Sequence, residues 1–305
     1  MKIFAFGEPM IELAEKVIEG KKLFIKGFGG DTSNFSVACA RQGADVSYIT
    51  SLGNDAFGQE FLDLYKKENI DTSNILLSDE KHTGVYFIHY SEKGHEFSYM
   101  RKDSAASNYK SHFLPEKALK NADCLFVSGI TQAISNDCCD AVFKAIEVAK
   151  FNKTLVVYDP NLRLKLWSLE RAKAIINYTA KQCDIFMPSY EDAQSLTNLQ
   201  DEKEIIQYYH DFGIKFVILK CGSKGVFVSD GNKVEFINAY KVKAIDQTGA
   251  GDTFDGAFVV HYLENKQISD AAKYANAAAA LSTLGIGAVA PIPYKKDVED
   301  FISSQ

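Results

Sequence analysis

Short runs rich in β-branched and aromatic residues recur at Lys2–Gly7, Val46–Ser51, Cys124–Ser128, Leu155–Asp159, Ile185–Pro188 and Phe216–Lys220, and each precedes or follows a segment with the apolar spacing of an amphipathic helix. Strands that alternate with helices build a mostly parallel sheet with helices laid over its faces, so the expected class is α/β. Connections in such sheets are right-handed, and ligands collect beyond the carboxyl ends of the strands. Gly129, Asn161, Arg163, Ser189 and Gly222 follow strands in this way and are the first places to look for a site.

Two stretches, Met10–Phe28 and Thr83–Arg101, interrupt the alternation. In the second, Gly84–Tyr90 and Glu96–Arg101 flank Ser91-Glu92-Lys93-Gly94 and read as a β-hairpin. With no helix nearby to cover it, this small sheet is expected to project as a lid over the ligand edge, formed by about residues 10–28 and 83–101. An exposed apolar face on such a sheet suits pairing with a second copy, so a homodimer through the lid is expected. A further hairpin, Gly225–Ser229 returning through Asp230-Gly231-Asn232 to Lys233–Ile237, has a D-G turn and is expected at the antiparallel edge of the main sheet.

Composition narrows the function classes. Of the 305 residues, 46% are hydrophobic and 24% charged, as in ordinary soluble globular proteins. A net charge of −6 offers nothing to nucleic acid or an anionic membrane, so neither is expected as a partner. The opening apolar run is too short for a signal-peptide core, with Glu8 and Glu12 arriving early, and no stretch approaches a membrane span. The six cysteines lack C-x-x-C spacing and sit mostly in apolar segments, which fits a reducing cytoplasm. The six histidines form no metal-ligand pattern.

The segment Asp246-Gln247-Thr248-Gly249-Ala250-Gly251-Asp252-Thr253-Phe254 places two glycines and an aspartate where an apolar helix begins. Backbone N–H groups at the positive end of a helix bind an anion without a basic side chain. A carboxylate there suits a base that takes a proton from a hydroxyl, while Gly249, Ala250 and Gly251 hold the phosphoryl group being transferred. The chemistry suggested is phosphorylation of an alcohol by ATP. Asp252 as an ordinary helix N-cap is the competing reading. A second glycine-rich element, Gly27-Phe28-Gly29-Gly30-Asp31-Thr32-Ser33-Asn34, also leads into a helix, and Asp31 and Asn34 can hydrogen-bond hydroxyl groups. No G-x-x-x-x-G-K-[ST] sequence occurs, which excludes a P-loop.

These two elements, in order and spacing, together with Gly53-Asn54-Asp55-Ala56-Phe57-Gly58, resemble the PfkB (ribokinase-like) family of carbohydrate kinases over essentially the full length. The Gly-Gly-Asp-Thr-x-x-Asn form, the Tyr99–Ala106 segment and Asp159-Pro160-Asn161-Leu162-Arg163-Leu164-Lys165-Leu166-Trp167 are most similar to the 2-keto-3-deoxygluconate kinases. The resemblance implies one ribokinase-like kinase domain over 1–305, with 2-keto-3-deoxygluconate converted to 2-keto-3-deoxy-6-phosphogluconate at the expense of ATP. A sugar acid needs a cation, and Arg101 on the lid and Arg163 beyond a core strand are the candidates. The family also implies that Gly30, Tyr86 and Tyr99 line the sugar pocket, although cross-strand packing accounts for the tyrosines as well.

For the nucleotide, Lys220-Cys221-Gly222-Ser223-Lys224-Gly225 resembles the family's K-x-G-x-x-G turn near the ATP phosphates and ribose. Asn276 opens a small-residue helical stretch that suits an adenine platform or close helix packing equally. Mg²⁺ is expected on charge grounds. The N-x-x-E motif that organises it through water in many members is replaced by Ser189-Tyr190-Glu191-Asp192, leaving Glu191 and Asp192 as candidates. K⁺ beside the anion hole is also implied, at Asp246 and Thr248, with turn capping by Asp246 as the alternative. Two rivals stand: a fructokinase or ribokinase acting on a neutral sugar, and a non-catalytic sugar-binding regulator on this fold.

Overall fold

The computed structural model describes residues 1–91 and 94–305, and the side chains of residues 90–95 fall outside that description. Thirteen strands are present among the described residues: β1 Lys2–Phe6, β2 Met10–Ile18, β3 Lys21–Gly29, β4 Asp45–Gly53, β5 Ile75–Ser78, β6 Gly84–Ser91, β7 Gly94–Met100, β8 Cys124–Ser128, β9 Leu155–Asp159, β10 Ile185–Phe186, β11 Phe216–Lys220, β12 Gly225–Ser229 and β13 Val234–Asn238. Nine form one sheet in the order β13-β12-β11-β10-β9-β8-β1-β4-β5. Pairing is parallel from β11 to β5, and β12 and β13 add the antiparallel edge read from the D-G turn.

The core lies on both faces of this sheet because its strands alternate two sets of apolar side chains. On β1, Ile3 and Ala5 join the cluster beneath helices Asp31–Arg41 and Ala250–Asn265. Phe4 and Phe6 join the opposite cluster, under helices Asn136–Phe151 and Leu169–Ala180. Each buried Phe, Leu or Ile contributes about 1.5–3 kcal/mol of transfer free energy. β10 is shorter than the run Ile185–Pro188, since Pro188 has no N–H to donate to a ladder. The edge strand β5 is short and half-exposed, and carries too little periodic signal to be read from sequence.

Both stretches that interrupt the alternation join in a second sheet, β3-β2-β6-β7. β2 and β3 form a hairpin whose turn has positive φ at Glu19 (50°) and Gly20 (75°), the backbone that a two-residue type I′ connection requires. β6 and β7 pair antiparallel, and Glu92 and Lys93 of their connection lie outside the described residues. β2 joins the hairpins by running parallel to β6. One face holds a small cluster of Met10, Ala14, Tyr86 and Ile88, while Val17, Ile18, Leu23, Phe24 and Ile25 are exposed.

Candidate active site

The two glycine-rich elements meet because their helices do. A Cβ on Gly256 would fall 2.6 Å from the Ala38 Cβ and 3.0 Å from the Phe35 carbonyl oxygen, so only glycine allows helix Ala250–Asn265 to lie this close to helix Asp31–Arg41. The approach brings Asn34 to Asp252, whose Oδ2 accepts from Asn34 Nδ2 at 2.8 Å. Asn34 is buried and its Oδ1 has no hydrogen-bond partner. A buried acceptor left open in a cleft is a site waiting for a donor such as a substrate hydroxyl.

Gly249, at φ 75°, takes the N-cap position of helix Ala250–Asn265, so Asp252 lies in the first turn and is not the cap. The Ala250 N–H donates to the Gln247 carbonyl at 3.2 Å. Gly251 and Asp252 follow with N–H groups too early in the helix for an intrahelical partner, and these lie at its positive end, where an anion is favoured. Burial, above all, and then the negative charge of Asp31 push the Asp252 carboxyl up from 3.8 to about 7, with the Asn34 bond pulling the other way. A base of that strength is half deprotonated at neutral pH and still able to accept a proton.

Asp31 opens helix Asp31–Arg41 and accepts from Ser128 Oγ and from Asn161 Nδ2, the latter at 3.1 Å. Burial raises its pKa. Gly30 precedes it at φ 99°, where a Cβ would meet the Glu8 carbonyl oxygen at 2.3 Å. From the second sheet, Tyr86 donates to Glu12 Oε2 at 2.5 Å and stands near enough to Asp252 to feel its charge. Tyr99 lies 6.0 Å from Tyr86 between ring centroids. Gly30, Asn34, Tyr86 and Asp252 thus lie near one another.

Lys220 and Asn276 have their polar atoms engaged, and Arg101 is paired but keeps a buried Nη2 without a hydrogen-bond partner. Arg101 is only 8% exposed, and its Nε donates to Glu8 Oε2 at 2.8 Å, with Ser104 holding the other Glu8 oxygen at 2.8 Å. Arg163 is exposed and makes one bond, from Nη1 to the Leu162 carbonyl at 2.9 Å, near the charges of Asp31 and Asp192. Lys220 reaches neither outward nor to solvent: its ammonium contacts Asp159 at 3.0 Å and both oxygens of Asp255 at 2.8 and 2.9 Å. Asn276 donates to the Asn238 carbonyl at 3.2 Å, tying helix Ile268–Ser282 to β13. Beyond Lys220, Gly222–Lys224 form a 3₁₀ turn that ends at Gly225, where φ is 134° and a Cβ would strike the Ile237 carbonyl oxygen at 2.1 Å. Ser223 is exposed on that turn.

The metal candidates separate. Asp192 is half-buried, accepts from the Leu162 N–H at 3.0 Å, and is pushed up to about 6 by burial and by the charge of Asp159. Glu191 is exposed. Asp246 accepts from the Thr248 N–H at 2.9 Å, the Thr248 hydroxyl at 2.7 Å and the Gly287 N–H at 2.9 Å, fastening the turn before the anion hole to the 284–288 loop. Among the described residues no three His, Cys, Asp or Glu side chains cluster at metal-binding distance. Sequence reasoning passed over Glu8, Glu12, Asp159 and Asp255. The signal available was position for Asp159, at a strand's carboxyl end, and context for Asp255, a charge inside an apolar helix.

The pfkB family carbohydrate kinase model matches residues 2–295. A 2-dehydro-3-deoxygluconokinase from Escherichia coli is 33% identical over 95% of this chain and 97% of its own length. A ribokinase from Haemophilus influenzae is 32% identical over 90% of this chain and 87% of its own. The crystal structure of a fructokinase from Vibrio cholerae with fructose, ADP and calcium bound superposes with a TM-score of 0.90 at 27% identity, over 98% of both chains. With the family model matched over residues 2–295 and this likeness along nearly the whole chain, the chain belongs to the pfkB family of carbohydrate kinases.

Proposed function

We propose that the protein transfers the γ-phosphoryl group of ATP to the 6-hydroxyl of 2-keto-3-deoxygluconate. The observation that carries this reading is Asp252, a carboxyl brought to about 7 in the first turn of a helix where the N–H groups of Gly251 and Asp252 have no intrahelical partner. Asp252 takes the hydroxyl proton as the alcohol oxygen attacks the γ-phosphorus, and the N–H groups of Gly251 and Asp252 hold the phosphoryl oxygens. Gly30, Asn34, Tyr86 and Tyr99 surround the sugar under the second sheet, which closes as a lid and keeps water from competing for ATP. The Gly222–Gly225 turn and the face near Asn276 take the nucleotide.

Mg²⁺ is assigned to Asp192, whose carboxyl is pushed up to about 6 by burial and by the charge of Asp159, with the exposed Glu191 beside it. Asp192 and Glu191 would hold it through water, and the ion would neutralise phosphate charge. K⁺ is assigned to Asp246 and Thr248, beside the same helix start. Arg163, with its guanidinium open to solvent, supports an acid as substrate. Arg101, already paired with Glu8, leaves a neutral sugar such as fructose or ribose as the second reading.

The test is coupled ADP release with each sugar, with wild type and two variants. Asp252→Asn should lower kcat by about 10²–10⁴-fold with binding largely kept, and near-normal turnover would remove the base assignment. Arg163→Ala should lose about 1.5–3 kcal/mol of preference for the acid, and an equal loss with neutral sugars would remove the carboxylate role. The exposed apolar face of the second sheet supports a homodimer, which light scattering would detect. Five of the six free cysteines are buried, which supports action in the cytoplasm.

A further inference from the structure

We propose that Lys220 is a positioning residue for the catalytic base, seating the first turn of helix Ala250–Asn265 and offsetting the carboxylates around Asp252, and that it does not bind nucleotide phosphate. The inference rests on the reading of Asp252 as the base. Its geometry is a buried three-residue cluster. The Lys220 side chain is 13% exposed, Asp159 8% and Asp255 0%. An ammonium has three N–H donors, and the three carboxylate oxygens at 3.0, 2.8 and 2.9 Å account for all of them. A phosphate approaching this ammonium would also face two carboxylates.

The cluster sits where it can act on the base. Lys220 ends β11, Asp159 ends β9, and Asp255 lies one helical turn beyond Asp252, so the ammonium pins two strand ends to the helix that carries the base. A Cβ on Gly251 would come within 3.9 Å of Lys220 Nζ, so the ammonium lies close to the first turn of this helix. The charged and titratable groups facing Asp252 are Asp31 from helix Asp31–Arg41, Asp159 from β9, Tyr86 from β6 and Lys220 from β11. Lys220 is the cation among them; Asp31 and Asp159 make deprotonation of Asp252 harder and Lys220 makes it easier.

The pH profile of kcat/KM and the KM for ATP decide the matter. Lys220→Met removes the cation, so the acid limb should move up by about one pH unit, costing about tenfold on that limb, while KM for ATP stays within about threefold. Asp159→Asn keeps the shape and removes a negative charge, so its limb should move down. Opposite displacements are something a merely structural role does not produce. A rise of tenfold or more in KM for ATP with an unmoved limb in Lys220→Met would make Lys220 a phosphate ligand and overturn the proposal. Should Lys220→Met fail to fold, Asp159→Asn decides alone, since a limb that stays or rises overturns it. Asp252→Asn serves as control: if it remains active, the base reading itself has failed, and if it is inactive while neither limb moves, only the role of Lys220 has.

Discussion

Asp252→Asn should be harder to unfold than the wild type, and the margin should widen with pH. In the folded chain the Asp252 carboxyl titrates at about 7 in place of its ordinary 3.8, first because it is desolvated and then because Asp31 is near. Well below the ordinary value both folded and unfolded chains hold the proton, and ionisation makes no difference to stability. As pH climbs from there through about 7, the unfolded chain releases its proton freely while the folded chain resists, so the wild type loses stability until the folded group has titrated. Asparagine never ionises and escapes this loss. The gap between 3.8 and about 7 sets a ceiling of about 4 kcal/mol above neutral pH. Cleft water reaches part of the group and Asp31 shares the effect, so about 2 kcal/mol is the expected gain, or about 4 °C in Tm for a chain of this length. Thermal unfolding of ligand-free protein from about pH 5 to about pH 8 reads it directly. A margin that stays constant with pH, or that shrinks as pH rises, would refute the claim that burial strains this carboxylate.

Other consequences are equally open to measurement. The wild-type kcat/KM should fall on the acid side with a midpoint near the Asp252 value of about 7, leaving about a tenth of the plateau one unit lower; a flat profile there would require another base. Gly249→Ala forces φ 75° on a residue with a Cβ, which would lie 2.9 Å from the Ala288 carbonyl oxygen. It should cost about 2 kcal/mol in urea unfolding along with much of the activity, and unchanged stability would mean that the turn relaxes freely. Arg41 pairs with Glu68 at 2.7 Å with side chains 8% and 3% exposed, and also holds the Ile292 carbonyl at 2.6 Å. Arg41→Met should destabilise by about 3–5 kcal/mol, with part recovered on adding Glu68→Gln; no recovery would locate the loss in the carbonyl contacts.

What the sequence disclosed about the fold was what is local. Cys124–Ser128, Leu155–Asp159 and Phe216–Lys220 are strands with the bounds read from their apolar runs, because central parallel strands are buried on both faces and leave an unbroken signal. The Gly-rich helix starts were visible for a related reason: positive φ and close backbone approach restrict the residue type at single positions. Partners distant in sequence were not legible. Nothing near Arg101 indicates that Glu8, 93 positions earlier, occupies its guanidinium. Nothing in the K-x-G-x-x-G turn says that Lys220 points inward, because that depends on Asp255 lying on a helix 35 positions away. Charge pairing across a fold leaves no periodicity to find.

The contact between Asn34 and Asp252 joins residues 218 positions apart. The Asp252 carboxylate is therefore not held by its own neighbourhood, and a chain still leaving the ribosome with its last third unmade has the Asp31–Arg41 helix start but no carboxylate to go with it. Even after synthesis, Asp252 gains its partner only when two helices from opposite ends of the chain dock at Gly256, a long-range closure of the kind that slows folding. Kinase activity is accordingly a late event in the life of each molecule, and its onset in a refolding experiment reports completion of the fold more strictly than the return of helical content does.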